Sequence, residues 1–241
     1  MASALARGWG DPVLCTDALP GKAEALAAEL GGEALASNAE LAERADVVFL
    51  CHKPDQLEAV AAQAEGNESG TTVVSILAGV TLDALRSAYP SAEAVVRLMP
   101  NVAVEIGRGV ICRAAESDED ARVTELLERV ATVVSVPERL IDVATAIQGV
   151  GPAYVSLFVE AQVDAAVRLG MPPALAVELA TATTEGSAAL LAARDFDTLA
   201  LRRAVTSPGG VTARGLAALE EGGLRAAFQA AAEAAVHGGR R

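Results

Sequence analysis

The fold class is decided by residues 46–77, which read DVVFLCHKPDQLEAVAAQAEGNESGTTVVSIL. Two apolar runs, at 46–51 and 71–77, enclose an Ala-rich stretch at 56–65 that ends at Gly66. We interpret these segments as strand, helix and strand, because short apolar runs are typical of strands that are covered on both faces. The unit predicts a parallel sheet whose strands are joined by crossover helices.

The same alternation continues on both sides of this unit, and it changes after Pro137. Up to that point we predict further strands at 13–15, 94–98, 110–112 and 133–135, with helices at 2–8, 22–30, 82–88 and 118–130. Beyond it the pattern holds only helices, at 149–170, 172–193, 196–205, 212–221 and 224–236. We therefore predict an α/β domain over 1–136 and an all-helical domain over 137–241.

The composition limits the classes of partner. The chain has 241 residues, of which 52% are hydrophobic, and a net charge of −13. This charge argues against nucleic acid and against an anionic membrane, since both would be repelled. The cysteines Cys15, Cys51 and Cys112 show no metal-ligand spacing, so no metal is expected, and their unpaired pattern favours a reducing, cytoplasmic location.

The stretch 153–169 is apolar almost all round, although it carries Glu160, Asp164 and Arg168. We interpret it as a buried helix and not as a membrane span. A helical domain of about a hundred residues does not cover such a helix by itself. The pattern therefore predicts a homodimer formed through this half of the chain.

Polar side chains follow the predicted strands, at the sheet edge where α/β proteins bind ligands. Lys53 is placed to meet a phosphate or ribose oxygen, and the small residues Ala78 and Gly79 allow close approach of a flat ring. Asp17 follows the strand at 13–15, where an acid can hold the 2′-hydroxyl of an adenosine ribose. An ordinary strand end, a tight turn and a turn aspartate explain these residues equally well.

The segment 206–212, TSPGGVT, opens a predicted helix and is the most specific of the polar segments. Gly209 and Gly210 free the backbone, and the helix start supplies unpaired N–H groups. Together with the hydroxyls of Ser207 and Thr212 they predict a cradle for a carboxylate or a phosphate. A well-capped turn between two helices is the alternative.

Taken in order, these segments resemble the pyrroline-5-carboxylate reductase family over nearly the whole chain. The resemblance is carried by Lys53-Pro54, by AGV at 78–80, RLMPN at 97–101, GVGPAY at 149–154 and SPGGVT at 207–212. It implies a Rossmann-like doubly wound parallel sheet followed by an all-α dimerisation domain. It also implies reduction of 1-pyrroline-5-carboxylate to L-proline, the last step of proline biosynthesis, with NADPH or NADH, by a homodimer that assembles further into a ring.

The resemblance assigns roles to residues at matching positions. The groove for NADPH or NADH is expected to be lined, beside Asp17, by Thr16, Asn38, His52, Lys53, Pro54 and Ala78. Glu138 and Thr145 match positions that touch the substrate or order its pocket. The substrate carboxylate is expected at Ser207, Gly209, Gly210, Val211 and Thr212. Thr212 is the catalytic candidate, because its hydroxyl is expected near the ring nitrogen.

The chain departs from the family pattern at its start. The family begins with a strand and a G-x-G-x-x-G/A turn whose end would fall on Met1-Ala2, so roughly ten residues of strand and loop are expected to be missing. We favour a start codon assigned too late. A truncated, non-catalytic dimeric paralogue is the second explanation, and a reductase of a related cyclic imine remains a further alternative.

Overall fold

The structure is a computed structural model, and it describes residues 1–64 and 66–238. The chain divides into two compact units, one of Met1–Pro152 together with 235–238 and one of Ala153–Ala234. The domain boundary at 136/137 stays a prediction.

The first unit alternates helices and strands, as the sequence predicts. Its regular elements are α1 (Ala2–Trp9), β1 (Leu14–Cys15), α2 (Lys22–Leu30), β2 (Glu33–Ala34), α3 (Asn38–Arg44), β3 (Val47–Leu50), α4 (Leu57–Ala64), β4 (Thr72–Ser75), α5 (Leu82–Ala88), β5 (Ala94–Pro100), β6 (Gly109–Ala114), α6 (Ala121–Glu128), β7 (Ala131–Val136) and α7 (Ile141–Ala144). Short 3-10 turns lie at Pro54–Gln56, Val102–Ile106 and Glu138–Leu140, and a π-helical turn lies at Thr145–Gly149.

The strands form a five-stranded sheet in the order β3-β4-β5-β6-β7 and a separate parallel pair, β1-β2. The predicted α/β fold with a mainly parallel sheet is confirmed. The pair β5-β6 differs, because it is antiparallel, with Leu98 opposite Arg113. The connection between these two strands is the 3-10 turn Val102–Ile106 and not a crossover helix, so the chain returns in the opposite direction.

Both faces of the five-stranded sheet are covered. Val73 of β4 packs in a cluster with side chains of α4 and α5, whereas the next residue, Val74, packs in a cluster with side chains of α1 and α6. Successive residues of a strand point to opposite faces, so these clusters are the two cores of a three-layer α/β unit. This arrangement explains why most residues of these strands are apolar.

The second unit is all-helical. It contains most of α8 (Gly151–Arg168), followed by α9 (Pro173–Ala192), α10 (Thr198–Ala204), α11 (Val211–Glu221) and α12 (Leu224–Gly238), which extends beyond the unit. Among the described residues of this unit, only Ala176 and Ala180 are buried. A single chain therefore leaves most of the apolar surface of these helices uncovered.

The stretch predicted to be a buried helix forms α8, but no residue of α8 is buried within one chain. Leu157 keeps 65% of its surface exposed and Phe158 keeps 42%. By length and hydropathy alone, the helical segment Glu138–Arg168 also reaches what a membrane span needs. Within one chain α8 is therefore not covered, as expected for a helix that a domain of this size does not bury by itself, and its burial in a homodimer stays a prediction.

Candidate active site

The ends of β3 and β4 place four of the predicted cofactor residues at one edge of the sheet. These strands are neighbours and run parallel, so His52, Lys53 and Pro54 after β3 lie at the same edge as Ala78 after β4. The Lys53 side chain is exposed. The backbone N–H of Lys53 donates a hydrogen bond to Gln56 Oε1 at 3.2 Å. This contact holds the short turn that Pro54 begins.

His52 lies between the strand and this turn. Its Nδ1 is 2.8 Å from the Lys53 carbonyl oxygen, and its Nε2 is a buried polar atom without a hydrogen-bond partner among the described residues. A buried ring nitrogen normally has a partner. The edge therefore presents one unsatisfied polar atom beside the exposed ammonium of Lys53.

The turn after β4 is small and open. Ala78 is exposed, and Gly79 has φ 75°, a conformation that favours glycine. No atom of the described residues lies within 4 Å of the position that a Gly79 Cβ would take. Thr81 then caps α5 by accepting a hydrogen bond from Ala84 N–H at 3.2 Å. The turn has the space that a flat ring would require.

Thr16 and Asn38, which are 22 residues apart, meet in the structure. The Thr16 hydroxyl donates to Asn38 Oδ1 at 2.6 Å, and Asn38 Nδ2 donates to Gln63 Oε1 at 2.7 Å. These two bonds connect the end of β1 to the first residue of α3, and that residue to α4. Gln63 was missed by the sequence analysis, since nothing in its position on an Ala-rich helix distinguishes it from a solvent-facing glutamine.

Asp17 lies next to this network with an exposed side chain. Its Oδ1 accepts a hydrogen bond from Leu19 N–H at 2.8 Å, which is the geometry of an Asx turn. The interpretation of Asp17 as a turn aspartate therefore agrees with the structure.

Glu138 is held by a buried cation. Its Oε1 accepts hydrogen bonds from Arg97 Nη1 and from Leu82 N–H, each at 2.7 Å. The pKa of Glu138 is raised by partial burial, but the bonds from Arg97 and Leu82 outweigh this effect and keep it below its usual value. Because its Oε1 already accepts two hydrogen bonds, Glu138 suits an ordering role better than direct contact with a substrate.

Arg97 was recognised only as part of the RLMPN segment, and its pairing with Glu138 was missed. Its side chain is 4% exposed, and its Nε has no partner among the described residues. The signal was available in the sequence, because an arginine inside an otherwise apolar strand requires an acidic partner.

Thr145 lies in the π-helical turn, half-buried, and its hydroxyl donates to Ile141 O at 2.7 Å. The turn is fastened to the end of β5 by two amide side chains. Asn101 Nδ2 donates to Gln148 O at 3.1 Å, and Gln148 Nε2 donates to Met99 O at 2.9 Å. The turn that contains Thr145 is therefore anchored to β5, and the Thr145 hydroxyl proton is already donated to Ile141 of α7.

The remaining predicted residues, 207–212, form an exposed turn at the start of α11 in the second unit. Gly210 N–H donates to Ser207 O at 3.0 Å, and Gly209 has φ 68°. A Cβ at Gly210 would collide with Ser207 Oγ and lie 3.1 Å from Ser207 O. The positive φ of Gly209 favours glycine, whereas a side chain at Gly210 would turn the Ser207 hydroxyl away and crowd the Ser207 carbonyl.

The start of α11 favours an anion. The first N–H groups of a helix lack partners within the helix, and no acidic residue lies in the first turn of α11. The Thr212 hydroxyl is exposed there, and Arg214 Nη1 donates to Gly209 O at 3.0 Å. Arg214 was missed by the sequence analysis, because its place after the glycines becomes meaningful only once the helix start folds it back onto the turn.

Known families match both parts of the chain. Residues 138–241 match the family model described as pyrroline-5-carboxylate reductase dimerisation, and residues 1–79 match NADP oxidoreductase coenzyme F420-dependent.

Individual relatives agree with these matches. The chain is 39% identical to a pyrroline-5-carboxylate reductase of Synechocystis sp., with 82% of this chain and 75% of the relative covered. It is 38% identical to the enzyme of that name from Mycobacterium tuberculosis, with 83% and 77% covered.

Solved structures of the same name have the same fold. The 1-pyrroline-5-carboxylate reductase from Streptococcus pyogenes superposes with a TM-score of 0.87 at 28% identity, over 100% of this chain and 94% of that one. The Plasmodium falciparum pyrroline carboxylate reductase, solved with NADP bound, gives a TM-score of 0.85 at 27% identity, over 99% and 92%. The chain belongs to the pyrroline-5-carboxylate reductase family.

Proposed function

We propose that this protein reduces 1-pyrroline-5-carboxylate to L-proline with NADPH or NADH. The observation that carries the proposal is the exposed turn Ser207–Gly210 at the start of α11, which presents backbone N–H groups, a hydroxyl and a nearby guanidinium to a small anion. The curated relatives carry the name of this reaction.

The nicotinamide nucleotide is assigned to the strand ends of the first unit. The residues there fit such a group, because His52 Nε2 is an unsatisfied buried atom and the Gly79 turn leaves open space for a ring. Thr16, Asn38 and Lys53 offer a hydroxyl, an amide and a cation to its polar parts, with Pro54 fixing the turn. When bound, this group supplies the hydride that the imine carbon accepts.

The substrate carboxylate is assigned to the first N–H groups of α11, those of Val211 and Thr212, with the Ser207 hydroxyl beside them, because the Gly210 N–H already donates to Ser207 O. A cyclic imine accepts a hydride most readily once its nitrogen is protonated. The Thr212 hydroxyl, or a water bound to it, holds the proton near this nitrogen, so no strongly acidic side chain is required. Within the first unit, Glu138 orders the start of α5 through Arg97 and Leu82, and the Thr145 hydroxyl is held by Ile141 O. The task of the residues is mainly positioning.

The assembly we propose is a homodimer formed through the helical unit. Such dimers are proposed to associate further into a ring. Support comes from the exposed apolar surface of α8 and from the match of residues 138–241 to a dimerisation family. A partner subunit, and not a membrane, is the proposed cover, since Glu160, Asp164 and Arg168 interrupt the apolar surface. A cytoplasmic location is proposed with it.

The test is turnover of purified protein with 1-pyrroline-5-carboxylate and each reduced nucleotide. We expect oxidation of the nucleotide that requires the imine and yields proline in equal amount. Loss of nucleotide absorbance without proline, or no turnover with either nucleotide, would contradict the proposal.

A further inference from the structure

Asp17 presents a fixed negative charge at the carboxyl end of β1. Its Oδ1 is held by Leu19 N–H at 2.8 Å, which orients the carboxylate in the loop that leads to α2. Within residues 1–64 and 66–238, no lysine or arginine forms an ion pair with it. Its charge is therefore available to a ligand at this strand end.

The surroundings of Asp17 reinforce this charge. The pKa of the Cys15 thiol, at the end of the same strand, is raised by burial and further by the charges of Glu24 and Asp17. The guanidinium of Arg44 is taken up by Glu33, which pairs with Leu14 in the β1-β2 ladder. The strand end is thus acidic, and the nearby guanidinium of Arg44 is already paired with carboxylates of the described residues.

Lys22 is a nearby cation that would favour a phosphate, and therefore NADPH, at this strand end. It is the first residue of α2, is exposed, and has no carboxylate partner among the described residues. A phosphate near the start of α2 would meet this ammonium, but it would also meet the uncompensated carboxylate of Asp17. Lys22 therefore has to be tested together with Asp17.

We propose that Asp17 makes this protein prefer NADH to NADPH. The inference rests on the proposed function, in which the first unit binds the nucleotide. A carboxylate at the end of this strand accepts a hydrogen bond from a ribose 2′-hydroxyl, whereas it repels the 2′-phosphate that distinguishes NADPH. Asp17 is thus a residue that determines cofactor specificity.

The test is calorimetric titration of the full chain with NADH and with NADPH, in the absence of substrate. We expect the dissociation constant for NADH to be lower by about tenfold or more. Asp17→Asn keeps the acceptor for Leu19 N–H but removes the charge, and it should bring the two constants to within about threefold by tightening NADPH. Glu128→Gln removes an exposed charge from α6 and should leave the ratio unchanged.

Three results would overturn the inference. Tighter binding of NADPH by the unaltered protein, lost in Lys22→Ala, would assign the specificity to Lys22. An unchanged ratio in Asp17→Asn would show that the carboxylate does not face the ribose. Both of these leave the proposed function standing, whereas failure to bind either nucleotide would overturn the inference and the proposed function together.

Discussion

The carboxylate of Glu138 lies 2.7 Å from the guanidinium of Arg97, a side chain that is 4% exposed in the middle of an apolar strand. The same carboxylate oxygen accepts the N–H of Leu82. One ion pair thereby joins β5, the start of α5 and the turn Glu138–Leu140. The turn at Ala78 and Gly79, which precedes α5, depends on this attachment.

Arg97→Met should therefore destabilise the protein strongly. Removing one partner of a buried ion pair leaves the other uncompensated, at a cost of about 3 kcal/mol in the free energy of unfolding. Arg225→Met, which breaks the exposed pair with Glu220, is the matched control and should cost less than about 1 kcal/mol. Urea denaturation of both variants measures the difference, and equal losses would contradict the role of Arg97.

Low pH should reduce the free energy of unfolding through protonation of Asp120. Hydrogen bonds from Arg122, and also from the hydroxyl of Thr72, hold the pKa of this carboxyl well below its usual value. A carboxyl whose pKa is lowered in the folded state contributes stability above the unfolded pKa of about 4. This contribution is lost as the pH falls from there toward the folded pKa.

The free energy of unfolding should accordingly decline below about pH 4, and Asp120→Asn should decline less steeply over the same interval. Urea titrations at a series of pH values test this. Parallel curves for the two proteins would show that Asp120 is not the titrating group.

The dimer should depend on the exposed apolar side chains of α8. Leu157 is 65% exposed in one chain, so Leu157→Glu would place a charge in the proposed interface. We expect this variant to sediment as a monomer. Ile106→Glu alters a residue of the first unit that is 76% exposed and should sediment as the unaltered protein does. A dimeric Leu157→Glu protein would place the interface elsewhere.

Catalysis should require the glycine at 210. Gly210→Ala places a methyl group that displaces the Ser207 hydroxyl and crowds the Ser207 carbonyl beside the proposed carboxylate site, so kcat/KM should fall by at least about tenfold. Gly186→Ala, in α9, meets no atom within 4 Å and should retain activity. Steady-state rates of proline formation compare the two variants. If Gly210→Ala were as active as Gly186→Ala, the turn would not be part of the site.

Much of this architecture follows from the sequence because its elements are strongly patterned. The predicted bounds of α2 and α5 agree with the structure, and β3 and β4 lie within the predicted runs. Two neighbouring elements, β2 and α3, were missed because they have two and seven residues, too few to show a period. The one signal in the sequence is at the start of α3, where Ser37 and Glu40 have the spacing of a capping box. In the structure Ser37 Oγ accepts a hydrogen bond from Glu40 N–H.

The candidate site was predictable where it consists of a local turn and not where it depends on distant partners. The turn at 207–212 is encoded by its own glycines. The pairing of Arg97 with Glu138 joins residues 41 positions apart, and the bond between Thr16 and Asn38 spans 22. The antiparallel direction of β6 could not be predicted for a similar reason, because an apolar run does not show whether its strand runs parallel or antiparallel to the neighbouring strand.

The proposed reaction depends above all on the binding of a carboxylate by the turn at the start of α11. The most direct measurement compares the binding of L-proline and L-prolinamide to the unaltered protein and to Gly210→Ala, by calorimetry. We predict that the unaltered protein binds proline at least about tenfold more tightly than the amide, and that Gly210→Ala loses this discrimination. Equal binding of proline and prolinamide by the unaltered protein would contradict the account.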